Sequence, residues 1–271
     1  MCHYSPETKR KAKELRIIDD ALFRLIAEQK DVCQEILQTL LEDNSIKVVS
    51  VTSQATISSL ERGIILDALC KISDGSYCNI EMQKTTNEND MKRVRFHASA
   101  LTTSKTSKNT KFDNIPNVKI LYITEYDALH NNQTITHISR CQLKANQYVP
   151  IDDGEDIFFA NTQIVDGSKQ SDLLQLFLRT DSFYNCDYPN LSRAIHHFKE
   201  TTKGVNRMCE SIEAYANERA TERAIDATIR SCIHFKQTKA ETTKYVKSEY
   251  SDVSDSYILE RITLLWNQYD D

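Results

Sequence analysis

Glu61-Arg62-Gly63-Ile64-Ile65-Leu66-Asp67-Ala68-Leu69-Cys70-Lys71-Ile72-Ser73-Asp74-Gly75-Ser76-Tyr77-Cys78-Asn79-Ile80-Glu81-Met82-Gln83 decides how this chain is read. Two apolar runs flank Ser73-Asp74-Gly75, and each carries one carboxylate where a strand normally stays apolar. The pattern predicts a β-hairpin with polar groups gathered on one face.

Loop length sets which residues face each other. A two-residue Asp74-Gly75 loop would pair Asp67 with Met82 and send Glu81 to the opposite face. A three-residue Ser73-Asp74-Gly75 loop pairs Ile72 with Ser76, and therefore Asp67 with Glu81. The second is favoured, because Gly75 then occupies the position that needs a left-handed backbone. Glu81 and Gln83 project beside Asp67, with side-chain roots about 5 Å apart across the ladder. Two carboxylates that close repel, and a divalent cation between them would relieve the repulsion.

These residues carry a resemblance. Asp67, followed fourteen positions later by Glu81-Met82-Gln83 after a glycine turn, resembles the Asp…Glu-x-Lys core of PD-(D/E)XK nucleases. More narrowly it resembles the transposase-associated branch related to recombination-promoting nucleases. Ile18-Asp19-Asp20-Ala21-Leu22-Phe23, Lys92-Arg93-Val94-Arg95-Phe96 and Val118-Lys119-Ile120-Leu121-Tyr122-Ile123 extend the likeness, which covers roughly residues 15 to 165.

The resemblance implies divalent-metal-dependent hydrolysis of phosphodiester bonds in DNA, with a link to mobile elements or recombination. It implies Asp67 and Glu81 as ligands of Mg²⁺ or Mn²⁺, with the Met82 carbonyl as a further oxygen donor, and Asp67, Glu81 and Gln83 as the catalytic set. It also implies an acidic residue of the first helix, Asp20, near the metal; read from its surroundings alone, Asp20 is a helix cap. Gln83 departs from the superfamily's lysine, since an amide donates and accepts hydrogen bonds but carries no charge. Lys84 could supply that charge, but strand alternation points it to the other face.

Composition sets bounds on these readings. The 271 residues are 40% hydrophobic and 27% charged, enough for a sizeable core. The net charge of −5 does not advertise nucleic-acid binding, yet phosphate contacts come from local patches. The densest such patch is residues 84 to 111. There Lys84, Lys92, Arg93, Arg95, Lys105, Lys108 and Lys111 face only Glu88 and Asp90. Lys84, Lys92, Arg93 and Arg95 are the expected DNA contacts, the last three on a helix from Met91 to about Thr103 whose apolar face is Val94, Ala98 and Leu101. The plainer reading is a polar helix leading into a Ser/Thr/Lys loop. Cys2, Cys33, Cys70, Cys78, Cys141, Cys186, Cys209 and Cys232 form no C-x-x-C pair and no zinc-finger spacing, and read as buried thiols in a reducing cytoplasm. No secretory or membrane-spanning run occurs.

Lys9-Arg10-Lys11-Ala12-Lys13 reads as a solvated basic lead. Leu22, Phe23 and Ile26, then Val32, Cys33, Ile36, Leu37 and Leu40, predict one or two amphipathic helices. Residues 46–51, 118–123, 134–143 and 156–162 predict strands. With the hairpin they make a mixed β-sheet flanked by helices, an α/β class whose expected form is restriction-endonuclease-like. From Ser171 the pattern turns helical. The division expected is a nuclease-like core over 1–170 and a helical region over 171–271. The last two helical segments, 238–250 and 254–269, read as a packed terminal hairpin, with a faint helix-turn-helix spacing beside it. Residues 190–271 hold 12 basic and 13 acidic side chains, which favours the packed hairpin.

His196-His197 does not form a metal pair, because adjacent helical residues point about 100° apart. No G-x-S-x-G elbow, P-loop or dinucleotide fingerprint occurs. The partners expected are DNA and no membrane. Cutting two strands takes two sites, which makes a homodimer a natural assembly. The alternative is a nuclease-fold module, weak or inactive as a catalyst, that binds nucleic acid or a protein.

Overall fold

The computed structural model describes residues 4–57, 63–85 and 89–269. Cys2, Glu61, Arg62 and Glu88 lie outside the described residues.

The chain forms two compact units, residues 1–57 with 65–211, and residues 58–64 with 212–271. The first is built on a six-stranded sheet of order β1-β2-β3-β4-β8-β5. Its strands are β1 (Val48–Ile57), β2 (Ile64–Ile72), β3 (Tyr77–Gln83), β4 (Val118–Thr124), β5 (Ile135–Ile138) and β8 (Glu155–Asn161). β2 and β3 pair antiparallel, β3, β4 and β8 run parallel, and β5 returns antiparallel on the edge. This is the expected mixed sheet flanked by helices, of restriction-endonuclease-like form.

Strand alternation sorts the side chains onto two faces. Leu66, Ala68, Cys70, Cys78, Ile80, Leu121 and Ile123 share one face and are buried. α2 (Asp20–Ala27) and α3 (Lys30–Leu40) cover it, with Cys33 of α3 meeting Cys70. Two helices rather than one arise here, and the break at Glu28-Gln29 lets each turn its apolar stripe to the sheet. The other face carries Tyr77, Glu81, Gln83, Tyr122 and Phe159, and α4 (Asp90–Lys105) lies on it.

The basic lead is a helix, α1 (Pro6–Glu14), started by Ser5 as N-cap and Pro6 in its first turn. Residues 134–143 do not form one strand of the sheet. β5 ends at Ile138, and β6 (Cys141–Lys144) pairs only with β7 (Gln147–Pro150) in a separate ribbon. Every residue of that ribbon is exposed, so it has no apolar face to join to the core. Its tight turn is set by left-handed Ala145 and Asn146. The thiols are not all buried: Cys33, Cys70, Cys78, Cys209 and Cys232 are, whereas Cys141 and Cys186 are exposed on the ribbon and a loop.

α5 (Lys169–Leu176) and α6 (Pro189–Glu200) belong to the first unit, and α7 (Thr202–His234) follows. In the second unit α8 (Lys239–Glu249) and α9 (Asp255–Asn267) pack with α7 around Ile225, Ile229, Val246, Ile258, Ile262 and Leu265. The terminal hairpin is thus tied into a core, and Arg261 of α9 pairs with Glu222 and Asp226 of α7. Among the described residues no helix is long and apolar enough to cross a membrane.

Candidate functional site

The β2–β3 turn has the three-residue form. Ile72 N–H donates to Ser76 O at 2.9 Å, Gly75 N–H donates to Ile72 O at 3.1 Å, and Gly75 takes φ +93°. The ladder runs from Lys71↔Tyr77 to Ala68↔Ile80, so its next step sets Asp67 against Glu81.

Asp67 is held from two sides. Its Oδ2 accepts the Met82 backbone N–H at 2.9 Å, and Gln54 Nε2 of β1 stands 3.4 Å from Oδ1. Burial, and then the charge of Glu81, push the Asp67 carboxyl well above the ordinary carboxylate range; the two donors oppose that shift. Asp20, in the first turn of α2, adds a smaller upward push.

Glu81 is 7% exposed. Its Oε1 accepts from Asn79 Nδ2 at 2.5 Å, and His97 Nδ1 of α4 lies 3.4 Å away. Gln83 closes the row: its side-chain oxygen accepts from Arg93 Nη1 at 2.8 Å, and its Nε2 donates to Thr85 O at 2.5 Å.

The match between β3 and α4 is one of repeat lengths. Two strand residues advance about 6.6 Å and four helical residues about 6 Å. An antiparallel helix therefore sets Arg93 at Gln83, His97 at Glu81 and Lys105 over the Tyr77 ring. α4 is fixed at its N-terminus, where Asn89 caps the helix and Asp90 accepts hydrogen bonds from the Tyr122 and Tyr126 hydroxyls at 2.9 Å.

The expected DNA contacts separate into distinct environments. Lys84 Nζ is 2.6 Å from Asp19 Oδ1, so its charge is already matched. Arg16 makes a forked pair with Glu125 beside it. Arg93 turns inward to Gln83. Lys92 and Arg95 remain exposed and line a cavity of about 280 Å³ with Arg140, Met91, Ile138 and Ile157.

Among the described residues no three carboxylate, imidazole or thiol groups form a ready-made metal cage. The donor set nevertheless fits a hard divalent cation. Mg²⁺ is commonly bound through one or two carboxylates while it keeps several waters. Among the described residues, Asn79 Oδ1 and His97 Nδ1, both buried beside Glu81, have no hydrogen-bond partner. A cation would also offset the repulsion from Glu81, which adds to burial in raising Asp67.

Asn79, His97 and Gln54 were not singled out from the sequence. Asn79 had a readable signal, two residues from Glu81 on the same strand face. His97 had one as well, four residues from Arg93 on one helix face. Gln54 had none, because its placement depends on a local backbone reversal.

No curated protein and no solved structure matches this chain. The family model described as PD-(D/E)XK nuclease family transposase matches residues 19–245, running well past residue 165 into α8. That span holds Asp20, Asp67, Glu81, Gln83 and all of α4, and the chain belongs to the PD-(D/E)XK nuclease family transposases.

Proposed function

We propose that this chain hydrolyses phosphodiester bonds in DNA with a divalent metal ion, Mg²⁺ or Mn²⁺, held by Asp67 and Glu81. The observation that carries the reading is the hairpin register, which brings these two carboxylates together on one face of the sheet in a chain of this family. Such an ion supplies Lewis-acid stabilisation of the charge building on the phosphate and a more acidic attacking water.

The protein's own groups do the rest. Met82 N–H fixes the rotation of the Asp67 carboxylate, and Asn79 fixes that of Glu81. Gln83 is neutral, and Arg93, bonded to it, brings the positive charge that stabilises the phosphate. Lys92 and Arg95 hold the DNA backbone as it approaches α4. A homodimer would present two such sites to the two strands. Among the described residues Cys33, Cys70, Cys78, Cys141, Cys186 and Cys232 form no disulfide, which accords with a reducing cytoplasm.

Purified protein is expected to nick supercoiled DNA with Mg²⁺ or Mn²⁺ and to lose that activity in Asp67→Ala and Glu81→Ala. If wild type and the double variant are indistinguishable on supercoiled, linear and single-stranded DNA, the enzyme reading fails. One observation favours the alternative of a nucleic-acid-binding module: Gln83 has its oxygen occupied by Arg93 and an N–H occupied by Thr85 O. Salt-dependent DNA binding that survives loss of both carboxylates, with no heat of metal binding, would select it.

A further inference from the structure

β1 contains a residue that a strand should not hold. Gln54 takes φ +53° within an otherwise extended segment, although it has a side chain and its amide is too long for the local hydrogen bonds that ease Asn or Asp into this conformation. Left-handed residues in strands turn a side chain out of the regular alternation and recur next to functional sites. Here the turn aims the half-buried Gln54 amide at Asp67, with Nε2 3.4 Å from Oδ1, while Met82 N–H holds Oδ2. The neighbouring Ser53 hydroxyl donates to Arg24 O of α2 at 3.1 Å and pins the kink.

We propose that Gln54 is a positioning residue whose strained backbone is retained so that its amide fixes the Asp67 carboxylate toward the metal. The inference rests on the nuclease reading for its consequence, but the Gln54–Asp67 contact is present without a metal. Outer-shell partners of metal ligands typically change affinity by about 10- to 100-fold.

Gln54→Gly removes both the strain and the amide. It is expected to melt at the same temperature as wild type or higher, yet to bind Mn²⁺ about tenfold more weakly by calorimetry and electron paramagnetic resonance. On DNA, kcat should fall while KM holds. Gln54→Asn keeps a residue tolerant of the left-handed backbone but shortens the amide reach by one methylene, and should behave like Gln54→Gly in Mn²⁺ affinity. Unchanged Mn²⁺ affinity in folded Gln54→Gly overturns the proposal. If wild type itself binds no Mn²⁺, the nuclease reading fails, and a metal-free melting cycle of Gln54→Gly, Asp67→Ala and the double variant decides the coupling. Non-additive shifts support it and additive shifts overturn it.

Discussion

Arg93 Nη1 donates to the side-chain oxygen of Gln83 across 2.8 Å, so a guanidinium carried by α4 stands at the end of β3 where the superfamily's motif places a lysine. A charge delivered from a helix differs from one on the strand, because its position depends on how that helix is docked. Asp90, held by Tyr122 and Tyr126, sets that docking.

If this charge serves the reaction, Arg93→Ala should lower kcat/KM for plasmid nicking by about 10²-fold, the scale of losing one electrostatic donor. Arg93→Lys should recover part of the loss, since an ammonium keeps the charge but not the planar fork. Lys84→Ala, whose partner is Asp19 on the rim, should change the rate by no more than a few-fold. Equal effects from Arg93→Ala and Lys84→Ala would show that Arg93 has no special role.

Asp67 links the site to stability. Its carboxyl is raised well above 3.8 by burial and by Glu81, so the native state holds this proton more tightly than the unfolded chain. The contribution to stability is complete below the unfolded value and is lost as pH rises through the raised native one. Metal-free Asp67→Asn should therefore melt higher than wild type at neutral pH, while the two converge near pH 4 and below. Melting curves across that range without divalent ions check the direction. A variant less stable at neutral pH would contradict the raised carboxyl.

Lys92 and Arg95 have a simpler expectation. Each phosphate contact contributes about 0.9 to the slope of log K against log salt on duplex DNA. The Lys92→Ala/Arg95→Ala pair should flatten that slope by about two and weaken all sequences alike. Metal affinity should not move. A preserved slope would mean the DNA runs elsewhere.

Gly75 tests the hairpin register. A methyl group there meets nothing within 4 Å, so the φ of +93° is the whole obstacle. Gly75→Ala should cost about 1–2 kcal/mol and leave Asp67 opposite Glu81, which denaturant melts together with retained Mn²⁺ binding would show. A loss of Mn²⁺ binding in the folded variant would mean that the turn had slipped.

Much of the site was legible because a β-hairpin is local. Asp67 and Glu81 stand fourteen positions apart, and a single glycine with a three-residue loop fixes which face each occupies. The amphipathic spacing of α2 and α3 and the apolar run of β4 were equally plain. Less legible was β6–β7, whose residues alternate no more clearly than those of β5. Only the lack of anything to pack against separates the ribbon from the sheet.

The sequence by itself determined that two carboxylates would face each other on a hairpin, and that a basic helix would follow it, because turn geometry and side-chain period act over a few residues. Only the tertiary structure decided which cations are spent on Asp19, which one reaches Gln83, that His97 stands beside Glu81, and that a reversed residue of β1 leans on Asp67. Those choices depend on how α4 and β1 lie against β2 and β3. That arrangement comes from burying apolar surface shared by distant segments, and no single stretch of the chain encodes it.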